Sequence, residues 1–141
     1  MTFTRIRLTP EEAQTILAQG RWGVLSTADA DGQPYGVPIN YVYDSEQQMI
    51  YCHCAAAGKK LANIAANSRV SFTVIAEERI LEEAFVTNYR SVIVQGTAEI
   101  YQDPAAIRSA LRCPSPQYHQ QTAQRCDCTL SPRCAHSCYC C

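Results

Sequence analysis

The chain has 141 residues, enough for one domain whose hydrophobic core needs no disulfide or metal to hold it together. Its 12 Lys and Arg against 13 Asp and Glu give a net charge of -1, which excludes the basic field that nucleic acid or an anionic membrane would need. No signal-peptide core and no apolar run long enough for a membrane span is visible, so a cytoplasmic protein is expected.

The residues before position 55 predict one helix and three strands. Thr9–Glu12 combines an N-cap, a first-turn proline and a capping box, so a helix begins there and ends before Gly20. Strands are predicted over Trp22–Ala28, Pro34–Tyr43 and Met49–Cys54, with an Asp-Gly turn between the first two.

The residues from 55 onward predict a short helix followed by two longer strands. The helix contains Leu61 and Ile64 at helical spacing, and the strands cover Arg69–Ile75 and Val86–Tyr101, separated by a charged connection. A further helix is predicted to start at Asp103-Pro104. Short strands in hairpin succession, with helices only as connectors, predict a mainly β protein: an antiparallel barrel with peripheral helices.

Pro34 and Pro38 mark the second predicted strand as an edge strand or a bulged one, because proline cannot donate to a ladder. The segment Val37-Pro38-Ile39-Asn40 would leave a carbonyl and a neighbouring amide free to pair outside the sheet, beside an asparagine that looks buried. A flat heteroaromatic ring with donors and acceptors on its rim would fit there, and so would an ordinary bulge.

A helix start with two lysines follows the third predicted strand. Gly58-Lys59-Lys60 opens the helical pattern, where free N–H groups and the positive end of the helix dipole attract anions. Lys59 and Lys60 would strengthen that attraction, so the loop predicts a phosphate site for a cofactor. The alternative is a pair of solvated surface charges.

Cys52-His53-Cys54 contains three residue types that bind metals. Alternation along a strand puts Cys52 and Cys54 on one face and His53 on the other, which excludes a three-ligand site within this tripeptide. The cysteines are therefore interpreted as small core residues. His53 alone would be a structural residue at a strand end, but its place next to the lysine loop makes it a candidate for the functional site.

Thr87–Ser91 mixes polar and aromatic residues just before an apolar strand. Such a segment can line a pocket or a subunit contact. A plain polar loop has the same composition, and these residues alone favour the loop.

The chain changes character after Arg112. Residues 113–141 contain seven of the nine cysteines, and Leu130 is their only Leu, Ile, Val, Phe or Met, so they are not expected to form a packed core. We therefore predict a domain over residues 1–112 and a cysteine-rich aberrant or disordered tail over residues 113–141. The tail has enough soft ligands for zinc or copper(I), but it lacks the paired C-x2-C knuckles and the hydrophobic residues of a structural metal module. This favours an out-of-frame C-terminus over a metal module.

Five motifs, in order along residues 10–112, resemble the pyridoxamine 5'-phosphate oxidase-related flavin-binding split barrels. The branch that looks most similar is that of the nitroimidazole-resistance (5-nitroimidazole reductase-like) proteins. The motifs are Trp22–Thr27, Asp31–Tyr41, Tyr51–Lys60 with Asn63-Ile64, Asn67–Phe72, and Thr87–Gly96.

The resemblance implies a six-stranded antiparallel split barrel that forms a homodimer and holds FMN at the subunit interface. The cofactor-binding residues that it implies are Val37, Pro38, Ile39 and Asn40 at the flavin ring, Cys52 and His53 along the ring and ribityl chain, Lys59 and Lys60 at the phosphate, and Asn88 and Ser91 from the dimer side. The final helix and last barrel strand of the family would be replaced by the tail. The residues that recognise pyridoxamine phosphate have no match, so vitamin B6 oxidation is not expected.

Together these observations predict an FMN-dependent oxidoreductase that takes electrons from NADH or NADPH and passes them to a small acceptor such as a nitroaromatic. His53 is the expected catalytic residue beside the reacting face of the flavin. One alternative is a non-enzymatic flavin or haem binder in which His53 ligates iron. Another is a C-terminally damaged chain that does not fold stably.

Overall fold

The computed structural model describes residues 7–82, 86–102, 126–131 and 137–140, the last two segments by their backbone. No helix in these segments has the length and apolar character needed to cross a membrane. In chain order the elements are α1 (Pro10–Gln19), β1 (Trp22–Ala28), β2 (Pro34–Asp44), β3 (Met49–Cys54), α2 (Lys59–Ala66), β4 (Arg69–Leu81), β5 (Val86–Tyr101), β6 (Cys126–Ser131) and β7 (Ser137–Cys140).

The start of α1 has the capping box that the sequence predicts. The Glu12 N–H donates to Thr9 Oγ1 at 3.2 Å, and the Thr9 N–H donates to Glu12 Oε2 at 2.8 Å. The apolar face of the helix is buried through Ala13, Ile16 and Leu17. Local sequence therefore determines where α1 begins, and burial determines which side faces the sheet.

Tyr41 of β2 contacts both α1 and the neighbouring part of the sheet. Its buried hydroxyl donates to the carbonyl oxygen of Leu17 at 2.8 Å, and its ring meets the edge of Phe72 with centroids 5.1 Å apart. A Cβ at Gly20 would collide with the same hydroxyl, which explains a glycine at the end of this helix. Burial raises the pKa of Tyr41, so its hydroxyl stays protonated and able to donate.

Six antiparallel strands close into a barrel. The order β4-β1-β2-β3-β6-β5 is completed by pairing of β4 with β5, and β7 adds to β5 from outside that ring. The core cluster contains Leu25, Phe72, Val74 and Val92, all of them essentially inaccessible to solvent. The predicted six-stranded antiparallel split barrel is confirmed, and β4 extends past the predicted Ile75 through a register shift between Ala76 and Arg79.

The prediction that the barrel lacks its last strand is wrong. Residues 126–131 form β6, which pairs with β3 on one side and β5 on the other. A strand ladder needs backbone N–H and C=O groups, so a segment poor in apolar side chains can still complete a sheet. Leu130, the one large aliphatic residue of the tail, stands opposite both Ile50 and Ala98. The proposed domain boundary at 112 and the helix predicted from Asp103 lie outside the described residues.

The β2 strand changes partners along its length. Residues 34–40 pair with β1, and residues 41–44 pair with β3. Hydrogen bonds from the Tyr41 N–H to the Arg21 carbonyl and from the Asp29 N–H to the Gln33 carbonyl, both 3.2 Å, show that odd-numbered residues of β2 direct their backbone toward β1. Gly36, Pro38 and Asn40 therefore direct theirs away, where no described strand pairs with them.

This half of β2 is an edge, as its prolines predict. The N–H that Pro38 lacks would point away from β1, so the proline interrupts no hydrogen bond of the ladder.

Replacing Tyr41 by Phe should lower the free energy of unfolding by about 1–2 kcal/mol, because the Leu17 carbonyl loses its buried donor. Tyr43→Phe is the matched control: the buried Tyr43 hydroxyl has no hydrogen-bond partner in the described structure, so its removal should be neutral or stabilising. Urea unfolding of the two variants measures the difference. Equal losses of stability would show that the Tyr41 hydroxyl does not hold α1.

Candidate functional site

The N-terminus of α2 presents backbone donors that no described residue accepts. Its N-cap, Gly58, has φ 137°, a conformation that residues with a Cβ rarely adopt, and no side chain caps the helix. The N–H groups of Leu61 and Ala62 both donate to the Gly58 carbonyl at 3.1 Å. The N–H groups of Gly58, Lys59 and Lys60 have no acceptor among the described residues, and no acidic residue lies in the first turn. This end of α2 can therefore receive an anion.

Lys59 connects the helix start to β2. Its Nζ lies 5.5 Å from the centroid of the Tyr35 ring, within the range of a cation–π contact. Lys59 is exposed, whereas Lys60 and Tyr35 are half-buried. Two lysines thus belong to the first turn of the helix, where the described residues offer its first N–H groups no acceptor.

A buried chain of hydrogen bonds holds α2 in this place. Asn63 is 3% exposed and Thr27 is 4% exposed. The Asn63 Nδ2 donates to Thr27 Oγ1 at 3.0 Å, and Thr27 Oγ1 donates to the Tyr35 carbonyl at 3.3 Å. The chain joins α2 to β1 and β2, and it ends at the residue whose ring faces Lys59.

Sequence reasoning did not identify Asn63 as a site residue. The available signal was an amide next to Leu61 and Ile64, which form the buried side of the helix. A buried amide requires a partner, and Thr27 supplies it from a position 36 residues earlier in the chain.

The four residues of β2 that were expected at the flavin ring face two different directions. Pro38 and Asn40 are exposed, while Ile39 is buried and Val37 packs against the core. The expectation that Asn40 is buried is wrong, since its amide reaches only the Arg21 carbonyl at 3.4 Å on the protein surface. The backbone of Pro38 and Asn40 faces the open edge, whereas that of Val37 and Ile39 belongs to the ladder with β1.

The end of β3 contains the cysteines in the core, as the alternation predicts. Cys52 is 1% exposed and Cys54 is 7% exposed, while His53 is half-buried and belongs to the opposite face of the strand. β3 ends one residue after His53, and four loop residues then connect it to the start of α2. Among the residues whose side chains the structure describes, no three His, Cys, Asp or Glu are grouped as a metal site requires.

The two predicted contacts from the dimer side lie on β5. Asn88 is exposed and pairs with Arg79, and Ser91 is buried between Ile75 of β4 and Tyr139 of β7 in register. No described contact within the single chain brings either residue to the helix start or to the β2 edge. Their role as contacts from a second subunit stays a prediction.

Fold and site together define an antiparallel split barrel with an anion-receptive helix N-terminus beside an open strand edge. A family model described as Pyridoxamine 5'-phosphate oxidase matches residues 9–132, from the cap of α1 through β6. The chain belongs to this family. The match confirms the resemblance seen in the sequence and extends it past residue 112.

One curated relative and several solved structures are similar to the chain. The relative is a 5a,11a-dehydrotetracycline/5a,11a-dehydrooxytetracycline reductase of Streptomyces rimosus subsp. rimosus, 33% identical over an alignment of 93 residues that covers 64% of this chain and 62% of the relative. The chain thus spans about three fifths of the length of that relative.

Three of the similar structures illustrate the range of the fold. A candidate 5-nitroimidazole antibiotic resistance protein of Bacteroides thetaiotaomicron has a TM-score of 0.74 at 19% identity, over 96% of this chain and 87% of that one. A FAD-binding protein of Mesorhizobium loti has a TM-score of 0.71 at 23% identity, over 97% of this chain and 99% of that one. A FAD and haem binding protein of Mycobacterium smegmatis has a TM-score of 0.72 at 15% identity, over 96% of this chain and 71% of that one. At these identities the similarity concerns the fold.

Replacing Thr27 by Val should lower the free energy of unfolding by about 1–3 kcal/mol, because the buried Asn63 amide loses its acceptor. Thr27→Ser keeps the hydroxyl and is the control, with an expected loss under about 1.5 kcal/mol from one methyl group. Chemical denaturation measures both. If serine is as damaging as valine, packing rather than hydrogen bonding explains the role of Thr27.

Proposed function

We propose that the protein is an FMN-binding oxidoreductase that passes electrons from NADH or NADPH to a small acceptor. The observation that carries the proposal is the start of α2 beside the open edge of β2, where two lysines accompany three N–H groups that have no acceptor in the part of the chain that the structure describes. The family supports a reaction of the oxidoreductase class.

The phosphate of FMN matches the start of α2 in charge and in hydrogen bonding. A phosphate dianion accepts several hydrogen bonds, and Gly58, Lys59 and Lys60 offer backbone N–H groups together with two ammonium groups. Each hydrogen bond to a charged group contributes about 1.5–3 kcal/mol, and the helix dipole adds about 0.3–1 kcal/mol. Because the net charge of the chain is only -1, this local arrangement is what would hold the anion.

The ring system of FMN matches the open edge of β2. An isoalloxazine has an N–H donor flanked by carbonyl acceptors on one rim, and the edge offers the Pro38 carbonyl together with the backbone groups of Gly36 and Asn40. In this assignment Val37 and Ile39 contribute through the core that supports the edge, and Cys52 contributes in the same way from β3.

Bound FMN supplies the hydride and electron chemistry of the reaction. The protein binds the phosphate, orients the ring along the β2 edge and presents His53 near the reacting face, where an imidazole can donate a hydrogen bond. Asn88 and Ser91 would approach from the second subunit. A cytoplasmic location, which the sequence predicts, would give access to reduced nicotinamides.

The comparisons favour a small organic acceptor. The curated relative is named as a reductase of a dehydrotetracycline, and one structural neighbour is a candidate 5-nitroimidazole antibiotic resistance protein. We propose a nitroaromatic or a similar electron-poor ring as the acceptor.

A second candidate function is binding of a flavin or haem without turnover, because one neighbour is a FAD and haem binding protein. Absorbance of the purified protein under anaerobic conditions separates the two. Flavin bands that NADH or NADPH bleaches support the oxidoreductase, whereas a Soret band with no bleaching supports the haem binder.

The homodimer is also a proposal, and an apolar patch on the outside of the barrel supports it. Trp22 is 62% exposed, Val24 is 39% exposed and Ile75 is 64% exposed. Trp22 and Val24 share one face of β1, and Thr73, which stands opposite Val24, shares that face of β4 with Ile75. Grouped exposed apolar side chains of this kind mark protein–protein contacts.

Lys60→Ala should weaken FMN binding about 10- to 100-fold, corresponding to one lost charge-assisted contact, and should leave riboflavin binding unchanged. Riboflavin has the same ring but no phosphate, so it separates loss of the anchor from loss of the fold. Quenching of flavin fluorescence measures both affinities. Arg69→Ala is the control, since Arg69 is an exposed cation near the other end of α2. Unchanged FMN affinity in Lys60→Ala would overturn the phosphate assignment.

Trp22→Glu should weaken dimerisation by roughly 30-fold or more, as expected when a charge replaces a central aromatic contact. Ala18→Glu is the control for the added charge, because Ala18 is exposed on α1 and lies outside the patch. Sedimentation velocity over a concentration series measures the dimer constant. A monomeric parent chain, or equal effects of the two substitutions, would contradict the proposed interface.

A further inference from the structure

Two neighbouring strands of the barrel contain the same Cys-x-Cys motif in register. Cys52 of β3 stands opposite Cys128 of β6, and Cys54 stands opposite Cys126. We call these four residues the cysteine quartet. Cys52-His53-Cys54 alone cannot form a metal site, but β6 places two further cysteines at the register positions directly opposite its own two.

The four positions of the quartet belong to one face of the sheet. Directly opposed residues of an antiparallel pair share a face, and so do alternate residues of one strand. The side chains of Cys52 and Cys54 are part of the core cluster, so the quartet positions belong to the core face. The pair between them in register, His53 and Asp127, belongs to the other face.

The hydrogen-bond pattern favours an ion over a disulfide between opposed members. Val42 and Asp44 direct their backbone toward β3 and pair with Tyr51 and Met49, so Cys52 and Cys54 direct theirs toward β6. Cys52 and Cys54 therefore form hydrogen-bonded pairs with their opposite residues on β6. In such pairs the Cβ–Cβ distance lies near the upper limit of the range of about 4.5–5.5 Å for opposed residues, whereas a disulfide needs a Cβ–Cβ distance of roughly 3.5–4.5 Å. Two metal–sulfur bonds of about 2.3 Å span such a gap.

We propose that the cysteine quartet binds a thiophilic d10 cation of the Zn²⁺ or Cu⁺ class. Thiolates select such soft ions over the oxygen-preferring Mg²⁺ and Ca²⁺. Each cysteine that binds releases its thiol proton to solvent, and the cation offsets the cost of a thiolate in a core position. The site joins β6 to β3, and it shares Cys52 with the core that supports the proposed flavin edge.

A second Cys-x-Cys motif of the tail provides an internal control. Cys138 and Cys140 of β7 stand opposite Val92 and Arg90 of β5, so the described register brings no cysteine to them. If binding needed only two cysteines two residues apart, Cys138 and Cys140 would bind the cation as well as the quartet does.

The test is zinc binding by the full chain, reduced and stripped of metal, followed by chelator competition. Three double variants are compared with the parent: Cys52→Ala with Cys54→Ala, Cys126→Ala with Cys128→Ala, and the control Cys138→Ala with Cys140→Ala. The first two should each lose about one equivalent of tightly held zinc, and the control should lose none. Cobalt substitution should give a thiolate-to-metal charge-transfer band in the parent and the control only.

Alkylation of the unaltered chain decides the question even if a variant does not fold. Zinc should slow the labelling of Cys126 and Cys128 at least tenfold and leave Cys138 and Cys140 unchanged, because a thiolate held by a metal is a poor nucleophile. Equal zinc binding by all variants, equal protection of all tail cysteines, or a native mass two hydrogens lower for each opposed pair would overturn the proposal. The last result would show disulfides instead.

Discussion

The change of partner along β2 is the constraint on which the rest of the architecture depends. One strand pairs first with β1 and then with β3, so the barrel can close while half of β2 keeps an unpaired edge. Proline is tolerated there because its missing N–H faces no neighbour. Tyr35 of the edge half of β2 lies beside Lys59 at the start of α2, so the proposed ring site and the proposed phosphate site are adjacent.

Both helices are attached to the barrel by buried polar groups as well as by apolar packing. Tyr41 reaches the carbonyl of Leu17 in α1, and Asn63 of α2 reaches Thr27 in β1. Apolar contacts allow a helix to slide or rotate at little cost, whereas a buried hydrogen bond is satisfied in one position only. For α2 this fixed direction matters to the proposed phosphate site, which depends on where the N-terminus of the helix points.

The sequence predicted what local rules govern, and it failed where distant partners decide. The cap at Thr9, the alternation at Cys52 and the proline-marked edge follow from neighbouring residues alone, and all three agree with the structure. The sequence does not reveal β6, because residues 126–131 are poor in apolar side chains and the place of the strand depends on backbone pairing with two distant strands. The sequence likewise does not show that Asn40 is exposed, which depends on the face of β2 to which it belongs. The burial of Asn63 depends on a hydrogen-bond partner 36 residues away.

The position of β6 in the chain affects the order in which the barrel can be assembled. Strands β1 to β5 are complete by residue 101, yet the ring between β3 and β5 closes only when residues 126–131 arrive. Strands β1 to β5 are therefore synthesised before the closing strand, and a sheet built from them alone has unpaired backbone groups along β3 and β5. Such edges pair readily with other chains, so yield in the cell should depend on how quickly β6 docks relative to aggregation of the open sheet.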